Sequence, residues 1–251
     1  MQHLSIRLQT GERGLRGIFV GGPWADLIEM IGLAGADFVV LDGEHGSVWT
    51  ELPHLLRAAR SVALPALVRV LPRRPDMIGQ VLDFGAEGVL VPGIRTVEEA
   101  ENALASSRYA PDGVRGLAFS ARSAGYGYRG GPDYLNTANR NVTVLLQVET
   151  REAVKSLPDI LRLTGLNGIF VGPTDLSLSY GEQSRQTAKV LNIIEQIRQA
   201  AEMAGIPWGL FTGTPDNHRE WYDRGSWYCA TGVPNLLRPA LTAWLERGHT
   251  R

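Results

Sequence analysis

Val142-Thr-Val-Leu-Leu-Gln-Val-Glu149 and Gly168-Ile-Phe-Val-Gly-Pro-Thr-Asp175 are two short apolar runs, each followed within a few residues by a carboxylate. Such runs are too short for helices, are bounded by turn residues, and read as strands buried on both faces. The same pattern recurs along the chain: Gly17-Ile-Phe-Val20, Asp37-Phe-Val-Val-Leu41, Ala66-Leu-Val-Arg-Val70, Gly88-Val-Leu-Val91, Pro207-Trp-Gly-Leu-Phe211 and Trp227-Tyr-Cys-Ala230. Helical patterns separate them. Asp26 to Leu33 stops at Gly35, Thr96-Val-Glu-Glu-Ala100 opens with a capping box, and Leu191 to Met203 stops at Gly205. Eight alternating units predict a closed (β/α)8 TIM barrel, one domain over residues 1–251. A ninth apolar patch, Gly116-Leu-Ala-Phe119, lies among Arg115, Arg122 and a Gly/Tyr-rich stretch running to Gly131. It reads as a long βα loop after the fourth unit.

Composition narrows the function. The chain has 251 residues, 44% hydrophobic and 20% charged, with a net charge of -1. Near-neutral charge without a dense basic block excludes nucleic acid as the main partner. Met1 to Gln9 lacks the apolar core of a signal peptide, and no apolar stretch reaches the roughly 20 residues that span a bilayer. A cytoplasmic enzyme acting on a small substrate is expected. The lone Cys229 allows no intrachain disulfide or multi-cysteine zinc site and reads as a buried thiol.

Barrel enzymes build their sites at the C-terminal ends of the strands. There the sequence places Asp42-Gly-Glu44-His45 after the second strand, Arg69 in the third, Gln147 and Glu149 on the fifth and Asp175 after the sixth, with Asp83 ahead of the fourth. Gln147 and Glu149 are two apart and share a strand face. His45 is the one of five histidines at a predicted strand end and is the natural general base, with Asp42 or Asp83 to orient it. Arg69, set between Val68 and Val70, needs an anion: Asp42 or Glu44 as a structural partner, or a substrate oxyanion, the reading preferred here. Glu149 and Asp175 taken singly read as helix N-caps. Together, at adjacent strand ends, they suit a hard divalent cation such as magnesium, manganese or cobalt. The Gly172 to Asp175 backbone offers N–H groups for a small carboxylate. The only lysines, Lys155 and Lys189, fall in helical segments, so no amine is available for a Schiff base and carbonyl chemistry calls for a metal as Lewis acid.

Asp37-Phe-Val-Val-Leu-Asp-Gly-Glu-His45, Leu82-Asp-Phe-Gly-Ala-Glu-Gly-Val-Leu-Val-Pro92, Arg108-Tyr-Ala-Pro-Asp-Gly-Val-Arg-Gly116, Leu146-Gln-Val-Glu-Thr-Arg-Glu152 and Gly168-Ile-Phe-Val-Gly-Pro-Thr-Asp-Leu-Ser177 together resemble the HpcH/HpaI aldolase family, above all its 4-hydroxy-2-oxoheptanedioate aldolase branch. The likeness implies a metal-dependent pyruvate aldolase on a barrel of the phosphoenolpyruvate/pyruvate type. It implies Glu149 and Asp175 as metal ligands, Arg69 steadying the pyruvate enolate, and His45 as acid/base tuned by Asp42 and Asp83. Gln147 and Gly172, Pro173 and Thr174, with Asp175, would bind pyruvate. The resemblance also implies a homohexamer that exchanges a helix near the C-terminus; here Pro234 to Leu245, running to a stop at Gly248, is apolar enough to need a partner. Departures cluster at the expected aldehyde pocket: Ser47 where a proline is common, a short Tyr180-Gly-Glu-Gln-Ser184 segment, and Thr212 and Gly213 where bulkier apolar residues are frequent. Thr212 is expected to touch substrate, and Tyr126-Gly-Tyr-Arg129 to add rings and a cation. Two other readings compete: a related lyase or decarboxylase acting on an acyl-CoA thioester or oxaloacetate, and a catalytically silent barrel serving assembly. Coenzyme A binding would favour the first, and absence of bound metal the second.

Overall fold

The computed structural model describes residues 2–247. Among them, β1 (Leu15–Val20), β2 (Phe38–Asp42), β3 (Ala66–Arg69), β4 (Gly88–Val91), β5 (Thr143–Val148), β6 (Gly168–Val171), β7 (Trp208–Phe211) and β8 (Tyr228–Gly232) close into a parallel barrel in sequence order. Each expected run forms a strand. The helices are α1 (Leu4–Gln9), α2 (Ala25–Leu33), α3 (Leu52–Ser61), α4 (Asp76–Asp83), α5 (Val97–Ser106), α6 (Gly131–Asn141), α7 (Arg151–Ile160), α8 (Pro173–Ser179), α9 (Ala188–Met203), α10 (Pro215–Asp223) and α11 (Val233–Arg247).

The strands are apolar throughout because both faces are covered. Leu67, Leu90, Leu145 and Phe170 pack inside the barrel with Phe38 and Tyr228, and Leu4 and Leu8 of α1 join this inner cluster. On the outer face Val39, Val68, Val89, Val144 and Ile169 pack with the helices. Full burial of one such side chain is worth about 1.5–3 kcal/mol, so the two clusters hold the strand ends as a rigid frame. The register aligns Asp42 with Arg69 across β2 and β3, and Val148 with Val171 across β5 and β6. Glu149 and Gly172, one residue beyond, therefore emerge side by side.

The topology corrects two expectations. The chain passes from β4 through a short turn into α5, so the crossover is complete by Ser106. The long segment up to Gly130 thus follows a helix, leads into α6 and β5, and belongs to the N-terminal end of the barrel. Its Arg122 donates to the Phe84 carbonyl at 3.2 Å, just past the end of α4. Tyr126 to Arg129 accordingly lie away from this chain's own C-terminal mouth. Asp83 closes α4 shortly before β4 begins and sits at that same N-terminal end, where its carboxylate pairs with Arg115 at 2.6 Å. Within one chain it does not orient His45.

After β8 the chain forms α11, whose Leu236, Leu237, Leu241 and Trp244 are exposed. The expected stop at Gly248 lies outside the described residues. No helix among the described residues is long and apolar enough to cross a membrane.

Candidate active site

The C-terminal mouth opens into a cleft of about 530 Å³ whose lining includes Asp42, His45, Arg69, Gln147, Thr174 and Asp175. Asp42 ends β2 and grips Arg69 of β3 with both oxygens: Arg69 Nε donates to Oδ1 at 2.8 Å and Nη2 to Oδ2 at 2.6 Å. Arg69 Nη1 lies 3.1 Å from the Glu44 carboxylate, and its guanidinium stands 5.3 Å over the Phe19 ring. The buried arginine thus has structural anions and still faces the cleft. Burial pushes the Asp42 carboxyl up, but Arg69 and two backbone donors outweigh it and leave it below the usual carboxylate range. Those donors are the N–H groups of Glu44 and His45, each 3.1 Å from Oδ1. Asp42 therefore positions His45 through the backbone and not through its ring.

The His45 imidazole is 65% exposed, and its Nε2 lies 3.8 Å from Glu44. Glu44, weighed from the sequence only as a partner for Arg69, is the acid nearest the ring. Burial raises its carboxyl, against the pull of Arg69 and His45. The loop carrying both residues is locked. Ser47 N–H donates to the Gly21 carbonyl at 2.8 Å, and Trp49 Nε1 to the Gly43 carbonyl at 2.8 Å. A Cβ at Gly46 would run into the carbonyl oxygens of Asp42 and Gly21.

Across the mouth, Glu149 is buried and its Oε1 accepts the Gly93 N–H at 2.7 Å, while Oε2 accepts from Gln147 Nε2. It caps no helix, since the Thr150 hydroxyl accepts from Ala153 N and performs that task for α7. Asp175 sits in the first turn of α8, whose cap position is Gly172. Burial drives Glu149 up to about 7, opposed by the Gly93 N–H and reinforced by the charges of Glu44 and Asp175. Gln147 Oε1 is buried with no hydrogen-bond partner. Gly172 lies so close to Gln147 and Glu149 that a side chain there would press on both. Its N–H is already spent on the Val148 carbonyl at 3.2 Å.

Among the described residues no group of three or more His, Cys, Asp or Glu side chains is arranged to hold a metal. A buried carboxylate whose proton affinity is raised in part by the charge of Asp175, beside an unpartnered amide oxygen, still fits a hard divalent ion, which accepts one or two protein carboxylates and fills its remaining positions with water or substrate oxygens.

Thr212 is not part of this lining. Its N–H donates to the Ala230 carbonyl at 2.8 Å and its side chain is buried. Phe211 faces the cleft instead, and strand alternation turns the next residue away. The sequence reading also missed Phe19 and Trp24, which line the opening after β1; their position at the end of the first strand was the available signal. Neither Lys155 on α7 nor Lys189 on α9 contributes to the lining, and the Lys189 amine is held by Tyr180 O and Glu182 at 2.9 Å each.

A closed parallel barrel with acids, an arginine and a histidine at its C-terminal mouth has the arrangement of a barrel enzyme, whose site is built at the strand ends. The family model described as HpcH/HpaI aldolase/citrate lyase matches residues 15–237, and the chain belongs to that family. It is 36% identical to a 5-keto-4-deoxy-D-glucarate aldolase of Enterobacter sp. (strain 638) over 219 residues, 84% of each chain. A family protein from Burkholderia cenocepacia J2315 matches with a TM-score of 0.92 at 30% identity, covering 98% of this chain and 99% of that one. The citrate synthase SbnG matches with a TM-score of 0.85 at 29% identity over 98% of each. The chain is an aldolase, a carbon–carbon lyase that cleaves 4-hydroxy-2-oxo acids to a 2-oxo acid and an aldehyde.

Proposed function

We propose that the 2-oxo acid is pyruvate, that Glu149 and Asp175 hold magnesium, manganese or cobalt, and that the enzyme works as a cytoplasmic homohexamer. The observation that carries this reading is the buried Glu149 carboxyl, raised to about 7 and set directly behind Gln147, whose Oε1 has no partner, and Gly172, both of which line the cleft with Asp175, Arg69 and His45. When bound, the ion supplies a Lewis acid for the 2-oxo group.

The chain's own groups do the rest. Gln147, Gly172, Pro173 and Thr174 bind the 2-oxo acid beside the two carboxylates. Arg69, immobilised by Asp42 and Glu44, presents a fixed cation to the oxyanion that develops as pyruvate loses or gains a methyl proton. His45, exposed at the mouth and next to Glu44, moves the proton through water between that carbon and the aldehyde oxygen. The exposed apolar face of α11 is the surface through which subunits assemble.

The test is a screen of 4-hydroxy-2-oxo acids for pyruvate release, with and without divalent ion, alongside proton NMR of the pyruvate methyl signal in deuterated buffer. Metal-loaded protein is expected to exchange those protons without any aldehyde. Arg69→Ala is expected to slow exchange about 10²–10³-fold, and Glu149→Gln or Asp175→Asn to abolish metal-dependent turnover. Undiminished turnover in excess chelator, with no metal by elemental analysis, would refute the metal role.

A further inference from the structure

Barrel closure divides the mouth into two unlike arcs. The strands β2, β3, β5 and β6 deliver Asp42, Arg69, Gln147 and, just beyond β6, Asp175. The continuous arc β7-β8-β1 delivers Phe211, Pro234, Phe19 and Trp24 instead. Phe19 and Phe211 meet edge to face with centroids 5.7 Å apart. Trp24, at the entry to α2, is 48% exposed and lines the cleft, and its indole lies against Gly22. Among the described residues of one chain no charged side chain lines this arc, and Arg69 in the opposite arc is already paired with Asp42 and Glu44.

We propose that the β7-β8-β1 arc is the aldehyde half of the cleft and selects an uncharged aldehyde bearing an aromatic or branched apolar group, with Trp24 as the residue that stacks on it. This rests on the function proposed above, in which the 2-oxo acid occupies the polar arc and leaves the aldehyde substituent facing the opposite wall. An apolar group gains by leaving water for the rings, and a ring gains further from offset or edge contact with the indole. A second carboxylate would be desolvated there without a free cation in the lining to receive it. The curated relatives are named for 5-keto-4-deoxy-D-glucarate, an acid with a carboxylate at each end, so the inference separates this chain from them in substrate class. The Arg185 guanidinium, outside the lining, lies against Gly213, two residues past Phe211.

The experiment compares kcat/KM for phenylacetaldehyde and succinic semialdehyde with pyruvate and magnesium-loaded enzyme. Phenylacetaldehyde is expected to be preferred by about tenfold or more. Trp24→Ala is expected to remove about tenfold of that preference, chiefly through KM, and Trp24→Phe to restore it. Saturation-transfer NMR with phenylacetaldehyde alone reads the same contrast without turnover. If Trp24→Ala fails to fold, Trp24→Leu against Trp24→Phe separates ring stacking from bulk. Equal or better use of succinic semialdehyde, lost in Arg185→Ala, overturns the proposal, as does unchanged selectivity in the Trp24 variants. Failure of pyruvate proton exchange in wild-type protein refutes the underlying aldolase roles instead, so the two failures are distinguishable.

Discussion

Asp42 shows how one carboxylate serves stability and site geometry together. It satisfies a buried guanidinium through two hydrogen bonds and holds the backbone N–H groups that lead to His45. Because its proton affinity is lowered in the folded protein, its contribution is present above the ordinary aspartate range and is lost as pH falls through the lowered folded value. Asp42→Asn leaves Arg69 with half its pairing and is expected to cost about 3 kcal/mol near pH 7. Urea denaturation at a series of pH values checks this: the gap between variant and wild type should begin to narrow below about pH 4, where the unfolded-state carboxylate takes up its proton, and close as pH falls through the lowered folded value. A gap constant down to pH 2 would contradict the assignment.

At the scale of elements, the site depends on loops that are as tightly packed as the strands. The turn between β2 and α3 carries Glu44 and His45 and rests on the β1 loop through Ser47 and Gly21. Gly46 sits at that crossing, so Gly46→Ala forces a carbonyl to move and displaces the histidine. A shift of about 1 Å is enough for a roughly 10²-fold loss of turnover, accompanied by a lower Tm. Steady-state kinetics and thermal melting together measure it; full activity at an unchanged Tm would show that the turn yields without cost. Local signals identified the helix starts well. Thr96 accepts from Glu99 N at 3.2 Å as its capping pattern requires, although the Glu99 carboxylate returns to Arg95 N–H at 2.7 Å, one residue earlier than in a standard capping box.

At the scale of the molecule, α11 is the element the single chain leaves unfinished. Leu236, Leu237, Leu241 and Trp244 are between 45% and 79% exposed, which places large apolar side chains against water along one helix. Substituting Leu241→Asp and Trp244→Asp together is expected to dissociate the assembly, read as a fall in mass by light scattering. A wild-type protein that is a stable, active monomer at assay concentrations would contradict the assembly proposal.

The eight strands were legible because parallel strands covered on both faces must be apolar without interruption, and that is a local property of short runs such as Gly168 to Val171. Glu149, Asp175, Arg69 and the Asp42-to-His45 turn were legible for a related reason: each sits at or beside the end of such a run. What sequence order could not show was which end of the barrel a segment between two runs occupies. Asp83 and the loop around Tyr126 were read toward the mouth, yet α4 and α5 carry them to the opposite end, because each helix runs antiparallel to the strand before it. The inward turn of Phe211 in place of Thr212, and the convergence of Phe19, Trp24 and Phe211 on one arc, likewise follow from strand pleat and ring closure. Patterning along the chain determines the elements and their faces; only barrel closure decides which residues from separate units meet, since their encounter depends on register and direction and not on spacing.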